Sequence, residues 1–214
     1  MININEDTID RKVGKAKEIL GENAKVFNKS IAILFTGSKE TTIVLDLVRD
    51  MNNGKIPFPI VHIDTGLETE ELYDYRTTIQ REWDIEIEIV SRQGFLSPDK
   101  TFDTEECCKK LTEEGLREAL RQHGWKALIF DPKNSGFEGI VESGISVINP
   151  VAHFDELDCW RYIKQRDLPY CSLYRKGFKL VACEPCLRPW LRKIELDNEN
   201  KEEIINRLKS LGYL

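Results

Sequence analysis

Residues 31–48 limit the fold of this chain more than any other stretch. A short apolar run rich in β-branched residues is followed by the polar residues 36–41 and then by an amphipathic run from about Lys39. This pattern predicts a buried strand, a tight loop and a helix. The first backbone N–H groups of a helix have no partner within it, and the helix dipole is positive there. The stretch therefore predicts an anion site, such as one for phosphate, although any polar turn between strand and helix is an alternative.

Strands and helices alternate along the rest of the chain. Further strands are predicted at residues 59–66, 85–90, 125–130 and 144–150, and helices at 8–20, 42–51, 68–83, 111–123 and 154–164. This order implies right-handed crossovers in a parallel sheet. We predict an α/β domain over residues 1–190 with a doubly wound, mostly parallel five-stranded sheet, helices on both faces and an irregular cysteine-containing segment. Residues 191–214 are expected to form a helical tail packed on it.

Composition narrows the functional classes. The net charge of −6 and the isoelectric point near 5.3 argue against generic binding to nucleic acid or anionic membranes. The sequence has no apolar run of the roughly 18 residues that a membrane span needs, and its start does not resemble a secretory signal. These features predict a cytoplasmic protein. Its six cysteines are then expected to be ligands, catalytic thiols or core residues rather than disulfides.

Several motifs resemble those of one enzyme family. The loop Thr36-Gly37-Ser38-Lys39-Glu40-Thr41 resembles the PP-loop pattern Ser-Gly-Gly-x-Asp-Ser of ATP pyrophosphatases and of the adenylyl-sulfate and phosphoadenylyl-sulfate reductases. Residues 62–66, His-Ile-Asp-Thr-Gly, match the reductases' His-x-Asp-Thr-Gly, and residues 107–109, Cys-Cys-Lys, match their paired cysteines. Residues 149–163 and 168–189 resemble the later segments. Because order and spacing are kept from about residue 30 to residue 190, the chain is identified as a member of the reductase family.

The resemblance implies an adenine nucleotide, either ATP, adenylyl sulfate or phosphoadenylyl sulfate. Ligands of open parallel sheets collect at the carboxyl ends of the strands, which places the end of the second strand beside the first loop. Asp64 is expected to accept hydrogen bonds from the ribose or to orient a metal or water. Lys39 either contacts phosphate or points to solvent, and His62 is expected to make a core hydrogen bond. The predicted nucleotide-binding residues are Thr36, Gly37, Ser38, Lys39, Glu40, Thr41, Asp64, Thr65 and Gly66.

Four cysteines give the sharpest chemical signal. Cys107 and Cys108, with Cys183 and Cys186 about 75 residues later, resemble the set that holds a 4Fe-4S cluster in bacterial adenylyl-sulfate reductases. Soft thiolates select iron–sulfur clusters or zinc. Zinc is disfavoured because adjacent cysteines strain a tetrahedral site. Buried cysteines that bind nothing are the remaining alternative, and this structural role is the one predicted for Cys159 and Cys171.

Two features depart from the family. The reductases carry paired arginines for the sulfate after the fourth strand, where this chain has residues 130–136 with Lys133 alone. Lys133, Arg175, Lys176 and Arg188 are the predicted substrate-anion residues, the alternative for the basic cluster being a solvated face. The aromatic residues Trp160, Tyr162, Tyr170 and Tyr174 form either a wall for adenine or part of the core. The reductases also use a cysteine in a C-terminal Glu-Cys-Gly-x-His segment, and no cysteine follows Cys186 in this sequence.

Three functions stay open at this point. The first is a sulfur-metabolism oxidoreductase of the reductase family, whose attacking thiol comes from a small thiol or a redox partner protein. The second is an ATP pyrophosphatase or adenylyltransferase, similar to the small subunit of sulfate adenylyltransferase or to thiolation enzymes, which uses Mg²⁺ at the α-phosphate. The third is a non-catalytic protein that binds nucleotide or cluster. A homo-oligomer is compatible with each, and nucleic acid is expected as a partner only for a thiolation enzyme.

Overall fold

The strands and helices follow one another as an α/β fold. A computed structural model describes residues 4–92, 107–132 and 144–187. The helices are α1 (Ile4–Phe27), α2 (Lys39–Met51), α3 (Glu70–Trp83), α4 (Glu114–His123) and α5 (Glu156–Gln165). The strands are β1 (Ile31–Leu34), β2 (Ile60–Asp64), β3 (Glu88–Ser91), β4 (Ala127–Ile129) and β5 (Ser146–Ile148). A π-helical turn, Cys108–Glu113, precedes α4, and a 3-10 turn spans Tyr174–Lys176.

The five strands form one parallel sheet in the order β3-β2-β1-β4-β5. The central strand β1 pairs Ile33 with Ile60 of β2 on one side and with Ile129 of β4 on the other. The strand order therefore reverses at β1, and the two crossovers leave a crevice beyond its carboxyl end, where ligands bind in open sheets. The predicted fold class is confirmed.

Two apolar layers enclose the sheet. Ile31, Ile33 and Phe35 pack on one face with α2 and α5, whereas Ala32 and Leu34 pack on the other with α4. Successive side chains of a strand point to opposite faces, so β1 is buried on both sides, as its unbroken apolar run predicts. Among the described residues, none of the helices is both long and apolar enough to pass through a membrane.

Most element boundaries follow from identifiable caps. Ser38 begins α2 because its hydroxyl accepts from the Thr41 N–H at 3.2 Å. Asp155 begins α5 with a capping box that also uses Asp158. Helix α1 is longer than predicted and β3 is shorter. The predicted loop over residues 91–107 falls largely outside the described residues, and the predicted tail at 191–214 falls outside them altogether.

Candidate functional site

Three hydroxyl groups meet in the loop between β1 and α2. Thr36 Oγ1 lies 2.7 Å from Thr41 Oγ1 and donates to Ser38 Oγ at 3.0 Å. Ser38 Oγ and Thr41 Oγ1 are 3.1 Å apart. These groups lie at the amino end of a 13-residue helix, where backbone N–H groups and the helix dipole both favour an anion. The arrangement suits the phosphates of a nucleotide.

Gly37 gives this loop its shape. Its φ of +73° is a left-handed conformation that residues with a side chain rarely adopt, and an added Cβ would overlap Cδ1 of Leu72. The loop therefore passes directly over α3 at this point. Glycine is required here both for backbone conformation and for space.

Lys39 is buried, which corrects the alternative that it points to solvent. Its side chain is 4% exposed and its Nζ lies 2.9 Å from Glu40 Oε1 and 3.5 Å from Glu156 Oε2. Its backbone N–H donates to the Tyr174 hydroxyl at 3.1 Å. Burial opposes the charge on Lys39, but the two carboxylates outweigh it and the pKa lies above its ordinary value. Lys39 thus joins the loop to α5 as a cation.

The end of β2 lies beside this loop, as predicted. Asp64 Oδ1 accepts from the Gly66 N–H at 2.8 Å and from the Tyr73 hydroxyl at 3.0 Å. Burial and the Asp64 carboxylate together raise the pKa of Tyr73 to about 12, so its proton stays on the phenol. Thr65 Oγ1 lies 3.3 Å from the Sγ of Cys183. The strand end therefore connects the nucleotide loop to one of the predicted cysteine ligands.

His62 makes the core hydrogen bond predicted for it. Its Nδ1 lies 2.8 Å from the carbonyl oxygen of Phe35, and its Nε2 lies 2.9 Å from a carboxylate oxygen of Glu68. Arg76 Nη1 lies 3.5 Å from the other oxygen of Glu68. Both ring nitrogens thus face acceptors in a region from which water is largely excluded, and the contacts fix the loop that follows β2.

A cavity of about 540 Å³ opens between these elements. Its volume falls within the roughly 300–1,000 Å³ range of small-molecule sites. Of the nine predicted nucleotide residues, the cavity is lined by Thr36, Ser38, Lys39, Glu40 and Thr65. Gly37, Thr41, Asp64 and Gly66 do not line it. The strand ends thus bring five of the nine predicted nucleotide residues together around one space.

The side chains of three of the four predicted thiol ligands lie in the described residues. Cys107 is 8% exposed, and Cys183 and Cys186 are partly buried. Burial raises the pKa of the Cys107 thiol, with a further contribution from Cys186. Burial likewise raises the pKa of Cys183 to about 12, and Cys186 and Cys107 add to it. The backbone of Cys108 begins the π-helical turn, and its side chain lies outside the description.

The thiols as they stand do not enclose a metal. Within residues 4–92, 107–132 and 144–187, no three histidine, cysteine, aspartate or glutamate side chains are close enough together to hold a metal ion. The donor set is nevertheless chemically suited to an iron–sulfur cluster, because four cysteine thiolates are the ligands that such clusters take.

The sequence around these residues matches the pattern of one protein family. The pattern of the phosphoadenosine phosphosulfate reductase domain matches residues 30–131 and 132–189. The chain belongs to the phosphoadenosine phosphosulfate reductase domain family. The predicted relationship is confirmed.

Relatives similar in sequence to this chain include proteins named as reductases and proteins named as adenylyltransferase subunits. The probable 5'-adenylylsulfate reductase 1, chloroplastic, of Oryza sativa subsp. japonica is 28% identical over 207 residues, which cover 81% of this chain and 41% of that protein. Sulfate adenylyltransferase subunit 2 of Shewanella sp. (strain W3-18-1) is 26% identical over 240 residues, which cover 91% and 77%. The chain thus spans less than half the length of the rice reductase. Both relatives are named as enzymes.

Solved structures share the fold. Phosphoadenylyl-sulfate reductase from Candida auris, in a phosphate complex, has a TM-score of 0.65 at 19% identity and covers 86% of this chain and 98% of its own. The FMN adenylyltransferase of Candida glabrata with ATP has a TM-score of 0.61 at 17% identity, covering 83% and 62%. The U34-tRNA thiolase NcsA from Methanococcus maripaludis, with its [4Fe-4S] cluster, has a TM-score of 0.60 at 14% identity, covering 98% and 81%.

The predicted substrate-anion residues of this reductase-family domain do not come together in the described residues. Lys176 pairs with Glu71, and Arg175 stacks on the Tyr170 ring with its guanidinium carbon 5.2 Å from the ring centroid. Both are exposed and neither lines the cavity. Lys133 and Arg188 lie outside the described residues. The role of all four in binding an anion stays a prediction.

Three of the predicted aromatic residues belong to the core. Trp160, Tyr162 and Tyr174 are all buried there, and Tyr174 also lines the cavity.

Cys171 is fully buried, and burial raises the pKa of its thiol to about 11. Cys159 is also buried, as predicted, but it lines the cavity beside Lys39.

Sequence reasoning missed several residues of the cavity. Carboxylates from distant segments line it, as does an irregular stretch near the cysteines: Glu68, Asp131, Asp155, Glu156, Lys179, Leu180, Val181 and Ala182. Asp131 follows β4 and Asp155 caps α5, so both stand at the carboxyl edge of the sheet. The strand order would have indicated Asp131, since β4 neighbours β1.

Proposed function

We propose that this reductase-family domain binds an adenine nucleotide with its phosphates on the loop of residues 36–41. The three clustered hydroxyls, the positive end of α2 and the size of the cavity support this assignment. The ATP complex of the fold neighbour from Candida glabrata and the phosphate complex from Candida auris agree with it. Lys39, which pairs with Glu40 and Glu156, holds the loop in place.

The proposal extends to a 4Fe-4S cluster held by Cys107, Cys108, Cys183 and Cys186. The four cysteine thiols, which are the ligands that such clusters take, and the cluster in the fold neighbour NcsA support it. When bound, the cluster would supply a redox-active group. The chain's own contribution is to gather the thiolates and to keep water away, since Cys107 is buried.

The contact between Thr65 and Cys183 carries the functional assignment. Thr65 lines the nucleotide cavity, and its Oγ1 lies 3.3 Å from the Cys183 Sγ, so the thiol site and the nucleotide site share a wall. This supports an oxidoreductase of sulfur metabolism that acts on adenylyl sulfate or phosphoadenylyl sulfate. Two thiols from a small molecule or a partner protein would reduce the sulfuryl group to sulfite, releasing the adenine nucleotide and leaving a disulfide.

A second function, adenylyl transfer from ATP, is favoured by the carboxylates of the cavity. Glu40, Asp131 and Glu156 line the same space as the hydroxyl loop. Carboxylates suit the Mg²⁺ that accompanies ATP. The relative named sulfate adenylyltransferase subunit 2 supports a partner subunit for this alternative.

Parallel assays on anaerobically purified protein separate the functions. The reductase predicts brown protein with iron and acid-labile sulfide, and thiol-dependent sulfite release from adenylyl or phosphoadenylyl sulfate. Adenylyl transfer predicts pyrophosphate release from Mg²⁺-ATP instead. Thr41→Val should abolish either activity, whereas the matched change Thr77→Val on the exposed side of α3 should not. Colourless protein without iron would remove the cluster, and nucleotide binding without either turnover would favour the non-catalytic alternative.

A further inference from the structure

Arg92 lies directly after β3 and is almost completely buried. Its side chain is 6% exposed. Its backbone N–H donates to the carbonyl oxygen of Asp64 at 2.7 Å. Arg92 is thereby fixed to the strand end that carries Asp64 and Thr65, one wall of the proposed nucleotide site.

The guanidinium group of Arg92 reaches the π-helical turn that begins at Cys108, the second cysteine of the first pair. Nη2 donates to the carbonyl oxygen of Lys110 at 3.0 Å, inside the π-helical turn Cys108–Glu113. Nη1 donates to Glu118 of α4 at 3.2 Å, and Glu114 lies 3.5 Å from Nη2. Single π-helical turns are uncommon and occur often at functional sites. One buried side chain thus ties the turn to both the strand end and α4.

A glycine makes this approach feasible. A Cβ added to Gly115 would stand 3.0 Å from Cδ of Arg92 and 3.1 Å from Cγ2 of Ile63. Both distances are shorter than ordinary van der Waals contact. The start of α4 therefore lies close against the stem of Arg92 and against β2, leaving little room for the turn to shift.

We propose that Arg92 is a positioning residue for the cluster site. It holds the π-helical turn that begins at Cys108, and with it the adjacent Cys107, beside the segment with Cys183 and Cys186. This rests on the proposed cluster binding. Arg92 acts through the backbone at Lys110 and touches no reacting atom. A lysine in its place would keep the charge but could not reach Lys110 and Glu118 at once, because it lacks the planar fork of donors.

Two measurements test the role of Arg92. Arg92→Gln is compared with Arg121→Gln, the same change at an exposed position of α4. Outer-shell partners of metal sites typically contribute about 10- to 100-fold to metal affinity, so we expect iron and acid-labile sulfide to be lost from Arg92→Gln at least about 10-fold more readily on titration with a chelator. Arg92→Lys should fall between this variant and the wild type.

Hydrogen exchange provides the readout that does not need the cluster. In chelator-treated protein, the amides of residues 107–115 should exchange about 10-fold faster in Arg92→Gln than in Arg121→Gln, because a buried charge-assisted hydrogen bond to the turn is gone. Exchange in β1 should stay unchanged, which separates this effect from general unfolding. If Arg92→Gln fails to fold, Arg92→Lys is measured in its place.

The outcomes separate the two proposals. Unchanged exchange at residues 107–115 in folded Arg92 variants would overturn the positioning role. Faster exchange at these residues in a folded Arg92 variant that retains iron normally would also overturn it. The turn would then move without affecting the cluster. Wild-type protein that takes up no iron on anaerobic reconstitution would instead show that the proposed cluster, on which this role depends, is wrong.

Discussion

Single residues of the loop explain how it differs from the related Ser-Gly-Gly-x-Asp-Ser pattern. Ser38 stands where that pattern has its second glycine, and it caps α2 while its hydroxyl also contacts Thr41. The glycine that remains, Gly37, is the one whose backbone adopts a positive φ. A serine is acceptable at position 38 because its φ of −71° is an ordinary extended conformation.

Gly37→Ala should destabilise the protein. A left-handed conformation costs a residue with a side chain about 1–2 kcal/mol, and the overlap with Leu72 adds to it. We expect the free energy of unfolding in urea to fall by at least this amount. Gly14→Ala is the matched control, since Gly14 lies inside α1 with open space around it, and it should raise the free energy by about 0.5–1 kcal/mol. Equal effects of the two changes would contradict this account of Gly37.

Acid should weaken the protein through Asp158. Burial opposes its ionisation, but hydrogen bonds from Lys12 and from the Asp155 amide outweigh it, and the pKa of Asp158 lies below its ordinary value. A carboxyl with a lowered folded pKa stabilises above its unfolded pKa of about 3.9 and loses that contribution as pH falls through the folded value. In Asp158→Asn the unfolding free energy should be lower at pH 7 and fall less steeply below pH 4. The exposed Asp74→Asn should retain the wild-type slope.

At the scale of elements, a buried carboxylate joins two helices. Asp46 of α2 has a side chain 6% exposed and accepts from the Tyr162 hydroxyl at 2.8 Å and from Arg166 Nε at 2.9 Å. Tyr162 lies in α5 and Arg166 follows it. These two contacts of Asp46 therefore fix α5 against α2. The amino end of α5 supplies Glu156 to the cavity, and α2 begins at the loop with the three hydroxyls.

Asp46→Ala should cost about 3 kcal/mol of unfolding free energy, because removing one partner leaves buried polar groups unsatisfied. The value lies at the low end of the range for buried pairs, since Arg166 is 43% exposed. Asp50→Ala is the control: Asp50 also binds Arg166, at 3.2 Å, but is 35% exposed, and it should cost only about 0–1 kcal/mol. Urea unfolding followed by circular dichroism measures both. A loss in Asp46→Ala no larger than that in Asp50→Ala would argue against a structural role for the buried contact.

Element boundaries show where local sequence signals suffice. The helix over 111–123 was predictable from its apolar spacing and from Gly124, which ends it with a φ of +69°. Its first turn is π-helical instead, ending at Glu113. Apolar periodicity does not distinguish these windings over one turn, and the contact from Arg92 that accompanies the π turn comes from another part of the chain.

At the scale of the whole molecule, the sequence predicts which segments reach the site but not which side chains meet there. Segments 36–41 and 64–66 both contribute to one cavity because parallel strands end at one edge of the sheet. The burial of Lys39 was not predictable, since it depends on Glu156 and on Tyr174, which is 135 positions away along the chain. Nor did spacing reveal the contact of Thr65 with Cys183.

The site connects distant parts of the chain, so a bound nucleotide should stabilise the whole domain. A ligand that binds only the folded state adds about 2.7 kcal/mol to the unfolding free energy at 100 times its dissociation constant. We expect thermal unfolding to shift upward most with ATP, less with AMP and least with adenosine, because the loop of residues 36–41 binds phosphates. Thr36→Val should remove the difference between ATP and adenosine by deleting one of three clustered hydroxyls. Thr77→Val, which is exposed, should preserve it. If ATP and adenosine shifted the unfolding temperature equally in the wild type, the phosphates would have to bind elsewhere and the cavity would be an adenine site alone.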